Sequence, residues 1–302
     1  MTQPETHEPR VAGEPLPEPV VGRTQVGSHS ASWLSWGDGA RPTIVLLHGG
    51  AAHGWWWWFT AALLQDDFHV IALDLSGHGA SDWRPEYTYA GWVEEVLAVA
   101  LPDESARPVV VGHSMGGMVA SVAAGHPEAH RFAGIVIVDA PVVALADESY
   151  LRSEEQFRTV RSYPDRESAV AAFRLLPPQS LVVGDFFDLV AQRSVRRDET
   201  DGSWTWRYDP RAFAVKEDRP VTTVPQLGQA PCPVMAVVGE RSSIITAEDL
   251  AALRDLELAG GGDVELHVLP GAAHHPMFDA PWALADIIRT CATRWTIAVG
   301  RA

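Results

Sequence analysis

The chain has 302 residues, 46% of them hydrophobic and 21% charged, enough to bury one sizeable core in a large α/β domain carrying an insertion. Its formal net charge of −16 excludes a surface built for nucleic acid or anionic lipid, which needs clustered Lys and Arg, and reads as a solvated exterior. Cys232 and Cys291 are the only cysteines, too few for a disulfide framework or a Cys-x-x-Cys metal site, and no apolar stretch is long enough to cross a bilayer.

The first residues are rich in Pro and Glu and lack the apolar core of a signal peptide, so residues 1–22 are expected to be a flexible tail and the protein cytoplasmic. Small, apolar and polar residues alternate over 23–36, as in one or two edge strands. Thr43-Ile44-Val45-Leu46-Leu47 is a short buried strand that ends at His48-Gly49-Gly50-Ala51, with a helix expected over 55–64. The next strand is Phe68-His69-Val70-Ile71-Ala72-Leu73, and Trp92, Val96, Val99 and Ala100 carry helical spacing over 89–101, stopped at Pro102. The β-branched run Val109-Val110-Val111 stops at Gly112, with a helix of small residues beyond Ser114, and Gly134-Ile135-Val136-Ile137-Val138 is a further apolar strand. Over 141–229 the rhythm fails: charge is scattered, Pro177-Pro178 and Trp204-Thr205-Trp206 stand out, and several pieces are amphipathic. It resumes with a strand over 233–238, a helix over 246–258, a strand over 264–269 and a helix over 281–295. Apolar strands alternating with helices predict a parallel sheet covered on both faces. Residues 23–140 and 230–302 are expected to form that core, with 141–229 inserted above it.

Gly112-His113-Ser114-Met115-Gly116 has the G-x-S-x-G pattern of a nucleophile elbow, in which glycines permit a strained serine backbone and a close strand–helix approach. A glycine-rich turn with an incidental serine would look the same, so the partners decide. An activated serine needs a base and a group that orients the base. His274, in the loop just past the last strand, is the candidate base; the adjacent His275 reads as structural or as part of the pocket. Asp139 closes its strand on the same sheet edge as Ser114 and is the candidate acid. The alternative place, after Val238, offers only Glu240, too near the strand end, and the uncharged Ser242 and Ser243. Met115 and either Gly50 or Ala51 supply N–H donors for a developing oxyanion. Substrate contacts are expected from His48, Gly49, Trp57, Trp204, Trp206 and Met277. His48, His53 and His78 have no carboxylate partners at metal spacing, so neither metal nor cofactor is assigned.

Together, His48-Gly49-Gly50, Asp74-Leu75-Ser76-Gly77-His78-Gly79-Ala80-Ser81, the Ser114 elbow and Gly271-Ala272-Ala273-His274 resemble the α/β-hydrolase superfamily over about residues 23–289. The resemblance implies an α/β fold with a mostly parallel eight-stranded sheet, helices on both faces, and a helical lid between the family's strands six and seven, here 141–229. It implies a triad of Ser114, His274 and an acid. Most members carry the acid after strand seven, where this chain has Ser242-Ser243; a minority carry it after strand six, where Asp139 stands. Ser114 separates the chain from epoxide hydrolases and haloalkane dehalogenases, which look similar but use aspartate there. The expected activity is metal-free hydrolysis of a small-molecule carboxylic ester or lactone through an acyl-enzyme. Two other classes share this fold: cofactor-free dioxygenases of heteroaromatic substrates, marked by oxygen consumption, and receptor-like proteins, marked by binding without turnover. No oligomeric state is assigned.

Overall fold

Unbroken aliphatic and β-branched runs dominate the centre of the sheet in the computed structural model, which describes residues 17–143, 157–214, 222–259 and 264–299. The strands are β1 (Val20–Val26), β2 (His29–Trp36), β3 (Thr43–Leu47), β4 (His69–Asp74), β5 (Val109–His113), β6 (Gly134–Val138), β9 (Val234–Gly239) and β10 (Val264–Leu269), with β7 (Val195–Arg197) and β8 (Trp204–Trp206) in the insertion. The main sheet has eight strands in the order β1-β2-β4-β3-β5-β6-β9-β10. β1 and β2 form an antiparallel hairpin and β2 pairs antiparallel with β4, whereas β4, β3, β5, β6, β9 and β10 are mutually parallel. Parallel strands bring all their C-terminal loops to one edge, which is why residues far apart in sequence can meet there.

Strand residues alternate between the faces. Val45, Leu47, Val110, Ile135 and Ile137 pack on one side beneath α2 (Tyr89–Ala100) and α3 (Met115–Ala124). Ile44, Leu46, Val109, Val111 and Val136 pack on the other, beneath α1 (Trp58–Leu64) and the C-terminal helix Pro281–Val299. Burial of each such side chain contributes roughly 1.5–3 kcal/mol, so both helical layers are needed to cover the sheet. A Cβ on Gly134 would overlap the Trp295 ring, which shows how closely the C-terminal helix lies on β6.

Several boundaries depart from the sequence reading. β1 begins at Val20, and the Pro17 carbonyl accepts from the indoles of Trp36 (3.1 Å) and Trp58 (3.2 Å), so residues 17–22 are tied to the core; the rest of the expected tail lies outside the described residues. The helix expected over 55–64 is a 3₁₀ turn, Gly54–Trp57, followed by α1. The described part of the insertion is not purely helical. It contains α4 (Arg166–Ala171) and α5 (Gly184–Arg193), then the antiparallel ribbon of β7 and β8 and a 3₁₀ turn over Pro210–Phe213. Helix α6 (Val224–Gly228) lies against the core: a Cβ on Gly125, at the end of α3, would come 2.9 Å from Gln226 Cγ. After β9 come α7 (Ala247–Ala259), β10, the short helix α8 (Pro276–Asp279) and the C-terminal helix, α9.

Candidate active site

The elbow arises where β5 runs out. The Ser114 N–H still donates to the Val138 carbonyl at 3.0 Å, as a strand residue would, while its C=O accepts from Met118 N–H at 3.0 Å to start α3. Serving both elements forces Ser114 to φ 51° and ψ −119°, a region costly for any residue with a Cβ. The glycines make room for this. A Cβ on Gly112 would overlap the Gly116 carbonyl, one on Gly116 would stand 2.5 Å from the His48 carbonyl, and one on Gly117 would stand 2.5 Å from Ala140 Cβ. Met115 opens α3, so its N–H has no acceptor within the helix.

Asp139 and His274 meet on the same sheet edge. Asp139 follows β6 with φ 46° and is fully buried. Its Oδ2 accepts from His274 Nδ1 at 2.7 Å and from the Ser242 hydroxyl at 2.6 Å, and its Oδ1 accepts from Gly239 N–H at 2.8 Å. Against a carboxylate, His274 Nδ1 is the protonated nitrogen, which leaves Nε2 as an acceptor. Glu240 turns away from the pair and accepts from Gly271 N–H at 2.8 Å. The loop carrying His274 is pinned by Asp279 Oδ2, which accepts from Ala273 N–H at 2.8 Å.

Two further histidines surround His274. His113 donates from Nε2 to the His274 carbonyl at 2.8 Å, and His275 donates from Nε2 to the Leu176 carbonyl at 3.2 Å. Burial, reinforced by the neighbouring His274, holds both imidazoles well below the usual histidine range, so they are neutral at pH 7. The insertion is fastened here too: Gln179 accepts from His275 N–H at 2.8 Å and donates to the His275 carbonyl at 2.9 Å. Gln179, His113, Asp279 and the Ser242 contact were not picked out from the sequence. His113 sits inside the elbow motif, which was the one available signal; Gln179 and Ser242 are defined by long-range pairing and Asp279 by a contact six residues away.

Ser114, Met115, Gly49, Gly50 and His274 border a cavity of about 320 Å³, roofed by Leu176, Pro177 and Phe213 of the insertion. A second chamber of about 340 Å³ shares Gly50, Trp56, Phe157, Leu176 and His275 with it, and Phe173, Tyr163, Trp206 and Tyr208 give it an aromatic wall. Gly50 reaches the Ser114 cavity, whereas Ala51 borders only the outer chamber. Four of the expected substrate contacts lie elsewhere. Trp57 is fully buried, edge-on to His113 at 6.5 Å, and Trp56 borders both chambers instead; an unbroken aromatic run gives no periodicity by which to tell them apart. Met277 packs in the core beneath α9. Trp204 exchanges backbone hydrogen bonds with Tyr163 and borders neither chamber, while Trp206, two residues further along the same face of β8, borders the second. His48 is a buried bracket: it accepts from Leu75 N–H at Nε2 (3.1 Å) and donates from Nδ1 to the Gly49 carbonyl (2.7 Å), with burial keeping it neutral.

No helix among the described residues is long and apolar enough to cross a membrane. A sequence profile described as "Alpha/beta hydrolase family" matches residues 44–287. The chain is 29% identical over 292 residues to Esterase Rv0045c of Mycobacterium tuberculosis, covering 92% of this chain and 91% of that protein. It is 28% identical to the pimeloyl-[acyl-carrier protein] methyl ester esterase of Edwardsiella ictaluri, over 82% of this chain and 92% of that one. Among solved structures, a thioesterase domain from the curacin biosynthetic pathway has the same fold, with a TM-score of 0.73 and 22% identity over 90% of this chain and 99% of that domain.

Proposed function

Because the chain belongs to the alpha/beta hydrolase family, we propose that it is a serine hydrolase that cleaves a carboxylic ester or lactone, with Ser114 as nucleophile, His274 as base and Asp139 as acid. One observation carries the reading: the strained Ser114 and His274, whose Nδ1 is bound by the buried Asp139, border one cavity together with Met115, the residue that opens α3. The resemblance to an esterase from Mycobacterium tuberculosis supports the same class of reaction.

In the proposed reaction His274 Nε2 takes the Ser114 proton as Oγ attacks the ester carbonyl carbon. The oxygen becomes an oxyanion, met by the N–H groups of Met115 and Gly50; Gly50 is favoured over Ala51 because it borders the Ser114 cavity. The imidazolium, stabilised by Asp139, passes its proton to the departing alkoxide, the C–O bond breaks, and the alcohol leaves an acyl-Ser114 ester. Water then attacks that ester with His274 as base, releasing the acid and restoring the serine. For a lactone the alcohol stays attached to the acid product. The adjoining aromatic chamber suits the bulkier half of the substrate.

A fluorophosphonate label read by peptide mass tests the nucleophile, alongside a panel of chromogenic esters and lactones. Ser114→Ala is expected to keep the fold, lose the label and lose about 10³-fold or more in turnover. A folded variant that labels or keeps a tenth of the rate overturns the mechanism.

A further inference from the structure

We propose that Ser242 is a positioning residue for Asp139, its hydroxyl fixing both the place and the charge distribution of the carboxylate that faces His274; this rests on the reading of Ser114, His274 and Asp139 given above. The sequence around β9 offers no second carboxylate close enough to serve, and Ser242 stands there as an uncharged residue. The geometry nevertheless gives it a defined part. Its Oγ lies 2.6 Å from Asp139 Oδ2, the same oxygen that takes the His274 Nδ1 proton.

The direction of that hydrogen bond is set by the rest of the turn. Ser242 Oγ accepts from the N–H groups of Ile244 (3.2 Å) and Ile245 (3.3 Å), so its lone pairs face backbone donors and its proton is left for Asp139. Ser242 N–H donates in turn to the Gly239 carbonyl at 3.0 Å, which binds the hydroxyl to the end of β9. Gly239 N–H holds the other carboxylate oxygen. Asp139 is therefore gripped on both oxygens from one strand end, while its own backbone sits at φ 46°, where it has little help from local preference.

The chemical consequence follows from sharing Oδ2. A donor on that oxygen withdraws negative charge from the side facing the imidazole. Without it, the carboxylate attracts a proton on His274 more strongly and is also freer to turn. Among the described residues the other charged or titratable groups nearby are His113 on β5, His275 on the same loop, Asp279 on α8, and, on the turn that carries Ser242, Glu240 and Arg241, which bond Gly271 instead. Burial keeps both imidazoles neutral, and Asp279 is held by Ala273 N–H, so none of them replaces the lost donor.

The test compares Ser242→Ala with Ser242→Thr in the full-length protein, measuring kcat, KM, the pH profile of kcat/KM and thermal stability on one chromogenic ester. Ser242→Ala is expected to lower kcat about tenfold, the rate equivalent of one hydrogen bond to a charged group, with KM little changed. Its acid limb should move to higher pH by about half a unit or more. Ser242→Thr, which keeps the hydroxyl, should restore both. A folded Ser242→Ala with wild-type kcat and profile overturns the proposal, as does a folded Ser242→Thr that behaves like the alanine variant. If Ser242→Ala fails to fold, the threonine variant alone decides. Ser114→Ala run in parallel separates the two claims: an active Ser114→Ala defeats the hydrolase reading itself, whereas an inactive one beside an unaffected Ser242→Ala defeats only this proposal.

Discussion

Replacing Asp139 by Asn changes one atom type and almost no volume, yet the hydrogen bonds around it make the effect large. Asp139 accepts from Gly239 N–H on Oδ1 and from both His274 and Ser242 on Oδ2. An asparagine that keeps its oxygen toward Gly239 turns an NH₂ group on two donors; one that flips turns it on the Gly239 N–H. In the first orientation His274 does best by moving its proton to Nε2, which can then no longer accept from Ser114; in the second the Nδ1 proton is kept, but an NH₂ is pressed against the Gly239 N–H. The imidazolium formed during attack also loses its counter-charge at 2.7 Å. Between charge centres about 4 Å apart, at an effective dielectric near 20, that loss alone is on the order of 4 kcal/mol, or about 10³-fold. A comparable substitution in a serine protease costs ~10⁴-fold, so we expect about 10³–10⁴-fold in kcat for Asp139→Asn, with KM little changed. Glu240→Gln is the matched control, since Glu240 contacts Gly271 and not His274; it should stay within about threefold of wild type. Both are assayed on one chromogenic ester, with circular dichroism to check the fold. A folded Asp139→Asn that keeps a tenth of the wild-type kcat refutes the reasoning, as does a Glu240→Gln that proves the weaker enzyme.

Other parts of the structure make their own claims. Trp206 borders the outer chamber and Trp204 does not, so Trp206→Ala should change KM for bulky esters much more than for acetates, while Trp204→Ala leaves that ratio alone; equal effects of the two would show that Trp206 only packs. Gly112→Ala sets a Cβ against a backbone carbonyl that cannot move aside and should cost about 2–3 kcal/mol in urea unfolding, whereas an unchanged midpoint would mean that the elbow relaxes. His53 donates to Ser194 (2.9 Å), and burial, with Arg207 nearby, lowers its pKa to about 3. The unfolded chain therefore takes up this proton first, and the stability due to neutral His53 is lost as pH falls from about 6.5 toward 3. Between pH 7 and 4.5 wild type should lose roughly 2 kcal/mol more than His53→Gln, and parallel stability curves would contradict the assignment.

The strands were legible because burial on both faces writes itself as an aliphatic run: the run at 43–47, the one at 109–111 and the one at 134–138 need no partner to be recognised. The elbow was legible because its glycines stand at fixed spacing around Ser114, even though Gly116 is required by the distant His48 carbonyl. The wall of the pocket was not. Trp56 and Trp57 are adjacent and chemically identical, and only the 3₁₀ turn at Gly54–Trp57 and the sheet beneath it separate a cavity residue from a core one. Met277 and His48 look like pocket residues by their motif neighbours but fill core positions. Gln179 and Ser242 act through partners 96 and 103 residues away in the chain, a separation that no local pattern encodes.

The residues read as nucleophile, acid and base do not stand on equally protected ground. Ser114 and Asp139 follow β5 and β6, strands paired on both sides, whereas His274 follows β10, the last strand of the sheet, paired only with β9 and with Val268 39% exposed. Edges fray before centres do. Gentle heating or dilute denaturant should therefore withdraw the histidine while the serine and aspartate are still held in folded surroundings, so that inactivation is an early, local and reversible event and precedes the cooperative collapse of the sheet.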